Sequence, residues 1–289
     1  MYLDFLEKTL IQNTPSIHWS LSIVDKIILV TGAYGLIGLT LARAFLQQGA
    51  KVVLADRDKS SEEEIKNQLL SEFPTEHFLF QNLDITDEES CEEVVQNTTQ
   101  KFGRLDVLIN SAAIDAKFDK AHAAEINPSR FEHYPAGLLR QSVDVNLTGT
   151  VLMTQAACRQ MLTQGSGNII NVASTYSMVA PNQSLYDLGD GVKQFKPVDY
   201  IASKSFIPNF TRYVATFYAK DGIRCNAIVP HGVLNGHDEA FLENFAKLSP
   251  LGRMCDREEL IGPFTFLASD ASSYMTGSIL TIDGGWTAW

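Results

Sequence analysis

The segment KIILVTGAYGLIGLTLARAFLQQ occupies residues 26–48 and combines three patterns that decide the fold. Lys26–Val30 is a short apolar run, typical of a buried strand. A glycine-rich turn follows at Thr31–Gly38, and a segment of helical composition begins at Leu39. Glycines between a strand and a helix let the backbone approach a pyrophosphate, and the helix N-terminus supplies N–H donors. The segment therefore predicts a dinucleotide-binding turn, although such a turn alone can be purely structural.

The alternation of short apolar runs with longer helical segments continues along the chain. Further strands are predicted at Lys51–Ala55, Phe78–Leu83, Leu105–Asn110, Asn168–Ala173, Arg224–Val229 and Ser278–Ile282. Helices are predicted at Leu39–Gln48, Ser61–Phe73, Glu88–Phe102, Ala136–Gln164, Tyr200–Ala219 and Arg257–Ala268. Continuous apolar strands are typical of parallel sheets that are covered on both faces. We therefore predict one α/β domain of the doubly wound Rossmann type, with a seven-stranded parallel sheet and helices on both faces.

Composition excludes several classes of partner. The chain of 289 residues has a net charge of −11 and a pI near 5.0, which disfavours nucleic acid because phosphate binding needs clustered Lys and Arg. No uncharged apolar run reaches the length of a membrane span, and the charged and polar residues within 1–20 leave no apolar region of the signal-peptide type there. The four cysteines show neither disulfide nor zinc-ligand spacing. We expect a cytoplasmic protein with reduced thiols, no metal and a small-molecule substrate.

Residues 25–289 are predicted to form the domain, and residues 1–24 an N-terminal extension. Leu3, Leu6 and Leu10 recur at helical spacing, which favours a short amphipathic helix as much as a loosely ordered terminus. Insertions that could form substrate loops are expected near 114–135, 175–199 and 231–257.

A carboxylate ends the second predicted strand. Asp56 could accept hydrogen bonds from the adenosine ribose hydroxyls and would repel a 2′-phosphate, which favours NAD over NADP. Arg57 could instead bind that phosphate, so NADP stays possible.

The pair Tyr200 and Lys204 is the strongest chemical signal in the chain. Positions four apart lie on one helical face, so both side chains can point into one cleft. We expect the Lys204 ammonium to lower the pKa of the Tyr200 phenol and so make it a proton donor and acceptor for a carbonyl/alcohol couple. The pair by itself could also be an ordinary surface pair.

Taken together, the motifs resemble those of the short-chain dehydrogenase/reductase family from about Ser22 to the C-terminus. They comprise the Thr31–Gly38 turn, the sequence Asn110-Ser111-Ala112-Ala113, Ser174, the Tyr200/Lys204 pair and Asp283-Gly284-Gly285. The segments 251–254 and 283–289 look similar to oxidoreductases associated with flagellin modification and legionaminic-acid-type sugar biosynthesis. Because members of this family usually form homodimers or homotetramers, the resemblance further implies such an oligomer.

The resemblance implies a role for each matching residue. Ser174 would hydrogen-bond the reacting oxygen, Asn146 would hold a water of the proton relay, and Lys204 would also bind the nicotinamide ribose. Asp84 would meet the adenine. The complete set of expected cofactor-binding residues is Gly32, Tyr34, Gly35, Leu36, Ile37, Asp56, Arg57, Asp84, Ile85, Asn110, Ala112, Tyr200, Lys204, Pro230, Val233 and Asn235.

Three features depart from the family pattern. The turn has the spacing T-G-x-x-G-x-x-G, which is more typical of extended, sugar-nucleotide-modifying members. His231 and Asn235 replace a glycine and a threonine, and for His231 packing in a loop is favoured over substrate contact. Ser174 and Tyr200 are separated by 25 residues instead of the usual dozen or so. The insertion at 179–197, with Tyr186, Asp187, Asp190, Lys193, Phe195 and Lys196, could form a substrate wall, a structural loop or a subunit contact.

Three functions follow from this sequence. The first is an NAD(H)-dependent oxidoreductase that interconverts an alcohol and a ketone on a polar, sugar-like glycan precursor. The second is a 3-oxoacyl-[acyl-carrier-protein] reductase, which fits less well because an acidic chain must then attract an acidic carrier. The third is a catalytically idle dinucleotide-binding regulator, which would not need the proton relay.

Overall fold

Seven short strands form one sheet in a computed structural model that describes residues 20–115, 129–187 and 194–289. The strands are β1 (Ile27–Thr31), β2 (Lys51–Asp56), β3 (Phe78–Asn82), β4 (Val107–Asn110), β5 (Gly167–Val172), β6 (Ile223–Pro230) and β7 (Ile279–Ile282). Their order is β3-β2-β1-β4-β5-β6-β7, and every neighbouring pair is parallel. β1 and β4 consist entirely of buried residues, as expected for central strands covered on both faces.

Helices cover both faces of this sheet. They are α1 (Leu36–Gln47), α2 (Glu62–Glu72), α3 (Glu88–Phe102), α4 (Ala136–Val143), α5 (Thr150–Gln164), α6 (Val198–Tyr218), α7 (Glu239–Leu248) and α8 (Ile261–Ala268). On one face, Phe45 of α1 and Phe264 of α8 belong to one hydrophobic core. On the other, Met153 of α5 and Phe210 of α6 belong to a second core. The predicted single α/β domain with a seven-stranded parallel sheet is confirmed.

The sheet changes winding direction between β1 and β4. β2 and β3 lie on one side of β1, whereas β4 to β7 extend to the other side. Loops that follow the carboxyl ends of β1 and β4 therefore diverge and leave a crevice, which is where doubly wound sheets bind ligands.

Four details differ from the sequence-based predictions. Helix α1 begins at Leu36 instead of Leu39, and α6 begins at Val198, two residues before the predicted start. The predicted helix 136–164 contains a π-helical turn at Asp144–Gly149. Helix α7 lies within the predicted loop insertion 231–257.

Two other expectations concern membrane spans and the N-terminal extension. The described part of the chain contains no helix long and apolar enough to cross a membrane. The predicted amphipathic helix with Leu3, Leu6 and Leu10 lies outside the described residues, as do Asp190 and Lys193 of the insertion. Ile23, near the end of the predicted extension, is 1% exposed and belongs to the hydrophobic core that also contains Phe45 of α1.

Candidate active site

A cavity of about 1040 Å³ opens at the carboxyl ends of β1 and β4. The predicted site residues that line it are Gly32, Tyr34, Gly35, Leu36, Ile37, Asp56, Arg57, Asp84, Ile85, Ala112, Ser174, Tyr200, Lys204, Pro230, Val233 and Asn235. Asn110 and Asn146 do not line it. Residues from seven separate segments are thus brought to one crevice.

The glycine turn allows two very close backbone approaches. Gly32 has a φ of +63°, and a Cβ at this position would lie 2.7 Å from the Cα of Ala112. A Cβ on Gly38 would lie 2.2 Å from the carbonyl oxygen of Gly32. Side chains larger than hydrogen would therefore push the turn away from β4 or away from its own helix.

Helix α1 has an uncapped N-terminus that faces this turn. Gly35 is its N-cap residue and supplies no side chain, and the first turn of the helix carries no acidic residue. The first backbone N–H groups of a helix lack intrahelical partners and favour anions. Because Leu36 and Ile37 also line the cavity, these donors suit the phosphates of a dinucleotide.

Asp56 is fixed at the end of β2 by backbone donors. Its carboxylate accepts hydrogen bonds from the N–H of Tyr34 at 2.9 Å and of Asp58 at 3.1 Å. Arg57 lies 3.5 Å from a carboxylate oxygen of Asp84. The pKa of Asp84 is lowered, first by a hydrogen bond from the Thr86 side chain and more weakly by Arg57. The Asp56 carboxylate is therefore bound by backbone N–H groups, and the Arg57 guanidinium is directed to Asp84.

Tyr200, Lys204 and Ser174 line the same part of the cavity. Tyr200 and Lys204 lie one turn apart on α6, as predicted, and Ser174 follows β5. Lys204 donates a hydrogen bond from Nζ to the carbonyl oxygen of Val172 at 2.8 Å. Burial lowers the pKa of Lys204 to about 8, and the negative charge of Asp115 opposes that shift.

The pKa of Tyr200 differs from the sequence-based expectation. Burial raises this pKa, the negative charge of Asp115 raises it further, and a hydrogen bond from Ser174 opposes both effects. The expected net lowering by Lys204 is therefore wrong for this state of the protein, because removal of the phenol from water outweighs local stabilisation of the phenolate. Tyr200 is therefore a protonated phenol at neutral pH.

Both predicted asparagines lie behind the cavity wall. The Asn110 amide donates to the Thr154 hydroxyl at 2.9 Å and to the Asn171 side-chain oxygen at 2.8 Å. Its side chain joins β4 to β5 and α5. The expected contact of the Asn110 backbone with the cofactor stays a prediction.

Asn146 lies in the π-helical turn and is 1% exposed. Its side chain accepts from the Ile114 N–H at 2.8 Å and donates to the Ile114 carbonyl at 2.9 Å, and it also donates to the Ser203 hydroxyl at 3.0 Å. A π-helical turn adds a residue locally and is frequent at functional sites. Asn146 thus fixes the loop after β4, while its role in a water relay stays a prediction.

Comparison with known proteins identifies the family. A family model described as "Enoyl-(Acyl carrier protein) reductase" matches residues 32–287. An NAD-dependent glycerol dehydrogenase of Listeria innocua is 34% identical over 271 residues, which cover 92% of this chain and 95% of the relative. The chain belongs to the short-chain dehydrogenase/reductase family.

Other members of this family resemble the chain over similar lengths. A post-translational flagellin modification protein A of Campylobacter coli is 29% identical, with 91% of this chain and 98% of the relative covered. The crystal structure of a short-chain dehydrogenase from Leptospira borgpetersenii with bound NAD+ superposes with a TM-score of 0.77 at 30% identity, covering 92% of this chain and 94% of that one. The predicted family and oxidoreductase class are confirmed.

The far wall of the cavity was largely missed by the sequence-based prediction. It contains Tyr176, Tyr186 and, from helix α7, Phe241. The hydroxyl groups of the two tyrosines lie 3.0 Å apart. Apolar residues at 241, 242, 245 and 248 have the spacing of one helical face, and this signal could have identified α7.

His231 packs among aromatic rings at the base of this wall, as expected for a packing residue. It is 6% exposed, and its ring centroid lies 5.1 Å from that of Phe245 and 4.1 Å from that of Trp286. Nδ1 is hydrogen-bonded to the Thr175 hydroxyl at 2.5 Å. His231 also lines part of the cavity, so the packing position borders the site.

Proposed function

We propose that this chain is an NAD(H)-dependent dehydrogenase that interconverts a secondary alcohol and a ketone on a polar, polyhydroxy substrate. The observation that carries the proposal is the convergence of Tyr200, Ser174 and Lys204 in the cavity that begins at the glycine turn. Acid–base chemistry at that position suits the reduction of a carbonyl group.

The turn fits a dinucleotide by shape and by donor set. Gly32 and Gly38 let the turn pack directly against Ala112 and against the start of α1, which any Cβ would prevent, and the start of α1 offers unpaired N–H groups to phosphates. Asp56 supports NAD over NADP because its fixed carboxylate would repel a 2′-phosphate. Arg57 is directed to Asp84, which weakens the case for NADP. When bound, the nicotinamide supplies or accepts the hydride.

The proton comes from the chain itself. In the reducing direction, the Tyr200 phenol donates its proton to the carbonyl oxygen as the hydride reaches the carbonyl carbon, which gives the alcohol. Ser174 donates its single O–H to that oxygen, whereas without substrate the same hydroxyl donates to Tyr200. Lys204, with a pKa of about 8, can return a proton to Tyr200 near neutral pH.

The substrate class rests on the walls of the cavity. The insertion contributes Lys196 and Tyr186, and the loop after β4 contributes Asp115. Charged and hydroxyl-bearing side chains suit a polyhydroxy compound better than an acyl chain. The glycerol dehydrogenase relative supports the same class, and the flagellin modification relative is compatible with a sugar-like precursor.

A spectrophotometric screen for NADH formation or consumption tests the proposal. The panel contains sugar alcohols, sugars, amino sugars and acyl thioesters, measured with NAD+ and NADP+ for oxidation and with NADH and NADPH for reduction. We expect turnover with polyhydroxy compounds and none with thioesters. Tyr200→Phe should lower kcat by about 10²- to 10⁴-fold while NADH affinity, measured by fluorescence titration, stays nearly unchanged.

Tyr213→Phe is the matched control, because Tyr213 lies on the same helix but is 60% exposed and outside the cavity. It should leave turnover unchanged. Full activity of Tyr200→Phe would overturn the mechanism, and dinucleotide binding without turnover on any panel member would favour the idle regulator.

A further inference from the structure

The insertion places a charged pair beside the ring of Tyr200. Lys196 Nζ lies 2.5 Å from a carboxylate oxygen of Asp115 and 4.0 Å from the centroid of the Tyr200 ring. The Lys196 side chain is 12% exposed and that of Asp115 is 46% exposed. Both residues line the cavity, so the pair has one side in the protein and one side toward the ligand space.

Side-chain hydrogen bonds hold the backbone of Lys196 and that of Ile114, the residue before Asp115. The Gln183 side chain accepts from the Lys196 N–H at 2.9 Å and donates to the Lys196 carbonyl at 3.4 Å. Asp115 directly follows Ile114, whose N–H and carbonyl are both bonded by Asn146. The two charged side chains therefore extend from two hydrogen-bonded segments that lie 81 residues apart in the chain.

Among the described residues, the Asp115–Lys196 pair has fewer hydrogen-bond partners than its two charged groups can take. An ammonium carries three donors, and a carboxylate can accept several bonds. Within residues 20–115, 129–187 and 194–289, their mutual contact is the one side-chain hydrogen bond of either group. A largely buried lysine has lost hydration, and an ion pair of this kind contributes little to stability. A ligand that both accepts and donates would satisfy the remaining groups.

We propose that Asp115 and Lys196 bind the hydroxyl groups next to the reacting carbon of a neutral polyhydroxy substrate. The Asp115 carboxylate accepts from one hydroxyl, and the Lys196 ammonium donates to the same or to a neighbouring one. A hydroxyl group offers both a donor and lone pairs, so it matches a pair that has no net charge. A carboxylate or phosphate group on the substrate would meet Asp115 unfavourably. This inference rests on the proposed function and specifies its substrate class.

The test compares substrates that differ in hydroxyl groups. Erythritol, xylitol and mannitol represent neutral polyols, butan-2-ol is a monohydric secondary alcohol, and gluconate is a sugar acid. For Lys196→Met we expect KM for the best polyol to rise about tenfold or more, with kcat reduced much less, because a hydrogen bond to a charged group is lost. The kcat/KM for butan-2-ol should change less than about threefold, since that substrate lacks the second hydroxyl.

Asp115→Asn gives an independent readout. It removes the negative charge and leaves Lys196 unpaired, so KM for the polyol should rise while gluconate becomes a better substrate or a tighter inhibitor. Lys26→Met is the matched control, because Lys26 forms a surface ion pair with Asp270 at 2.9 Å and does not line the cavity. Its kinetic constants should equal those of the parent chain.

Calorimetric titration of the same polyol into the protein with NADH bound measures substrate binding separately from turnover. It therefore distinguishes the role of Asp115 and Lys196 from the dehydrogenase activity. Polyol affinity that falls in Lys196→Met supports the inference even where turnover is absent. Equal losses for polyol and butan-2-ol, unchanged polyol affinity and KM in both variants, or a parent chain that prefers gluconate would each overturn the inference. Absence of NADH-linked turnover on every alcohol would overturn the proposed function instead.

Discussion

The two halves of the cavity are built in different ways. On the side of β1 and β2, the wall is made from backbone: Gly32 approaches Ala112 directly, and the N–H of Tyr34 holds Asp56. On the opposite side, side chains from distant segments make the wall, such as the Lys196–Asp115 pair. A wall made of backbone tolerates little change, whereas a wall made of side chains can vary without altering the fold. The first half is therefore suited to a constant ligand and the second to a specific one.

The sharpest way to break this contrast is to add a single methyl group to the backbone wall. Gly38→Ala would place Cβ at 2.2 Å from the Gly32 carbonyl oxygen, and neither backbone can move without opening the turn. We expect NADH affinity to fall about a hundredfold, which corresponds to ~3 kcal/mol. Fluorescence titration of NADH measures this loss.

Gly262→Ala provides the control for that experiment. Gly262 lies in α8, and a Cβ there would meet nothing within 4 Å. This variant should bind NADH as the parent chain does. Parental affinity in Gly38→Ala would show that the turn adapts, and the distinction between the two halves would fail.

A smaller effect is expected when the charge that ends β2 is removed. Asp56→Asn keeps one oxygen, which can accept from one of the two backbone donors, but loses the repulsion of a 2′-phosphate. The ratio of NADPH to NADH affinity should rise about tenfold, as expected for one partly screened charge. Parallel titrations with both cofactors measure the ratio. Tighter binding of NADPH than NADH by the parent chain would contradict the assignment of NAD.

The backbone half was largely predictable from sequence because local geometry determines it. The strand, the glycine turn and the carboxylate at Asp56 are contiguous features with known consequences. The start of α1 was misplaced by three residues because Gly35 acts as the N-cap without a capping side chain, so the sequence carries no capping signal there. The spacing of Tyr200 and Lys204 predicted their shared face correctly, since helix geometry alone decides it.

The side-chain half was not predictable to the same degree. Lys196 was recognised as part of an insertion, but its partner Asp115 belongs to another segment, and no local pattern connects them. The pKa of Tyr200 was expected to fall because one neighbour was considered, whereas burial of the whole group dominates. Long-range packing decides both features.

The pH dependence of the free energy of unfolding tests how tightly the side-chain half of the cavity is packed around His231. Burial lowers the pKa of His231 from 6.5 to about 4, against the opposing effect of Asp283. The unfolded chain therefore takes up a proton at His231 between pH 6.5 and 4 that the native protein does not bind. This contribution to stability is complete above pH 6.5 and is lost as the pH falls towards 4.

Replacing His231 by Asn isolates that contribution. From pH 7 to pH 5, the parent chain should lose about 2 kcal/mol more unfolding free energy than His231→Asn loses, by the linkage between pKa and stability. Urea unfolding curves of both proteins at each pH measure this difference, and carboxylates that also destabilise the fold in acid largely cancel in it. Parallel pH profiles would mean that the native protein accepts the proton at His231, and that the aromatic wall around it opens as easily as a surface loop.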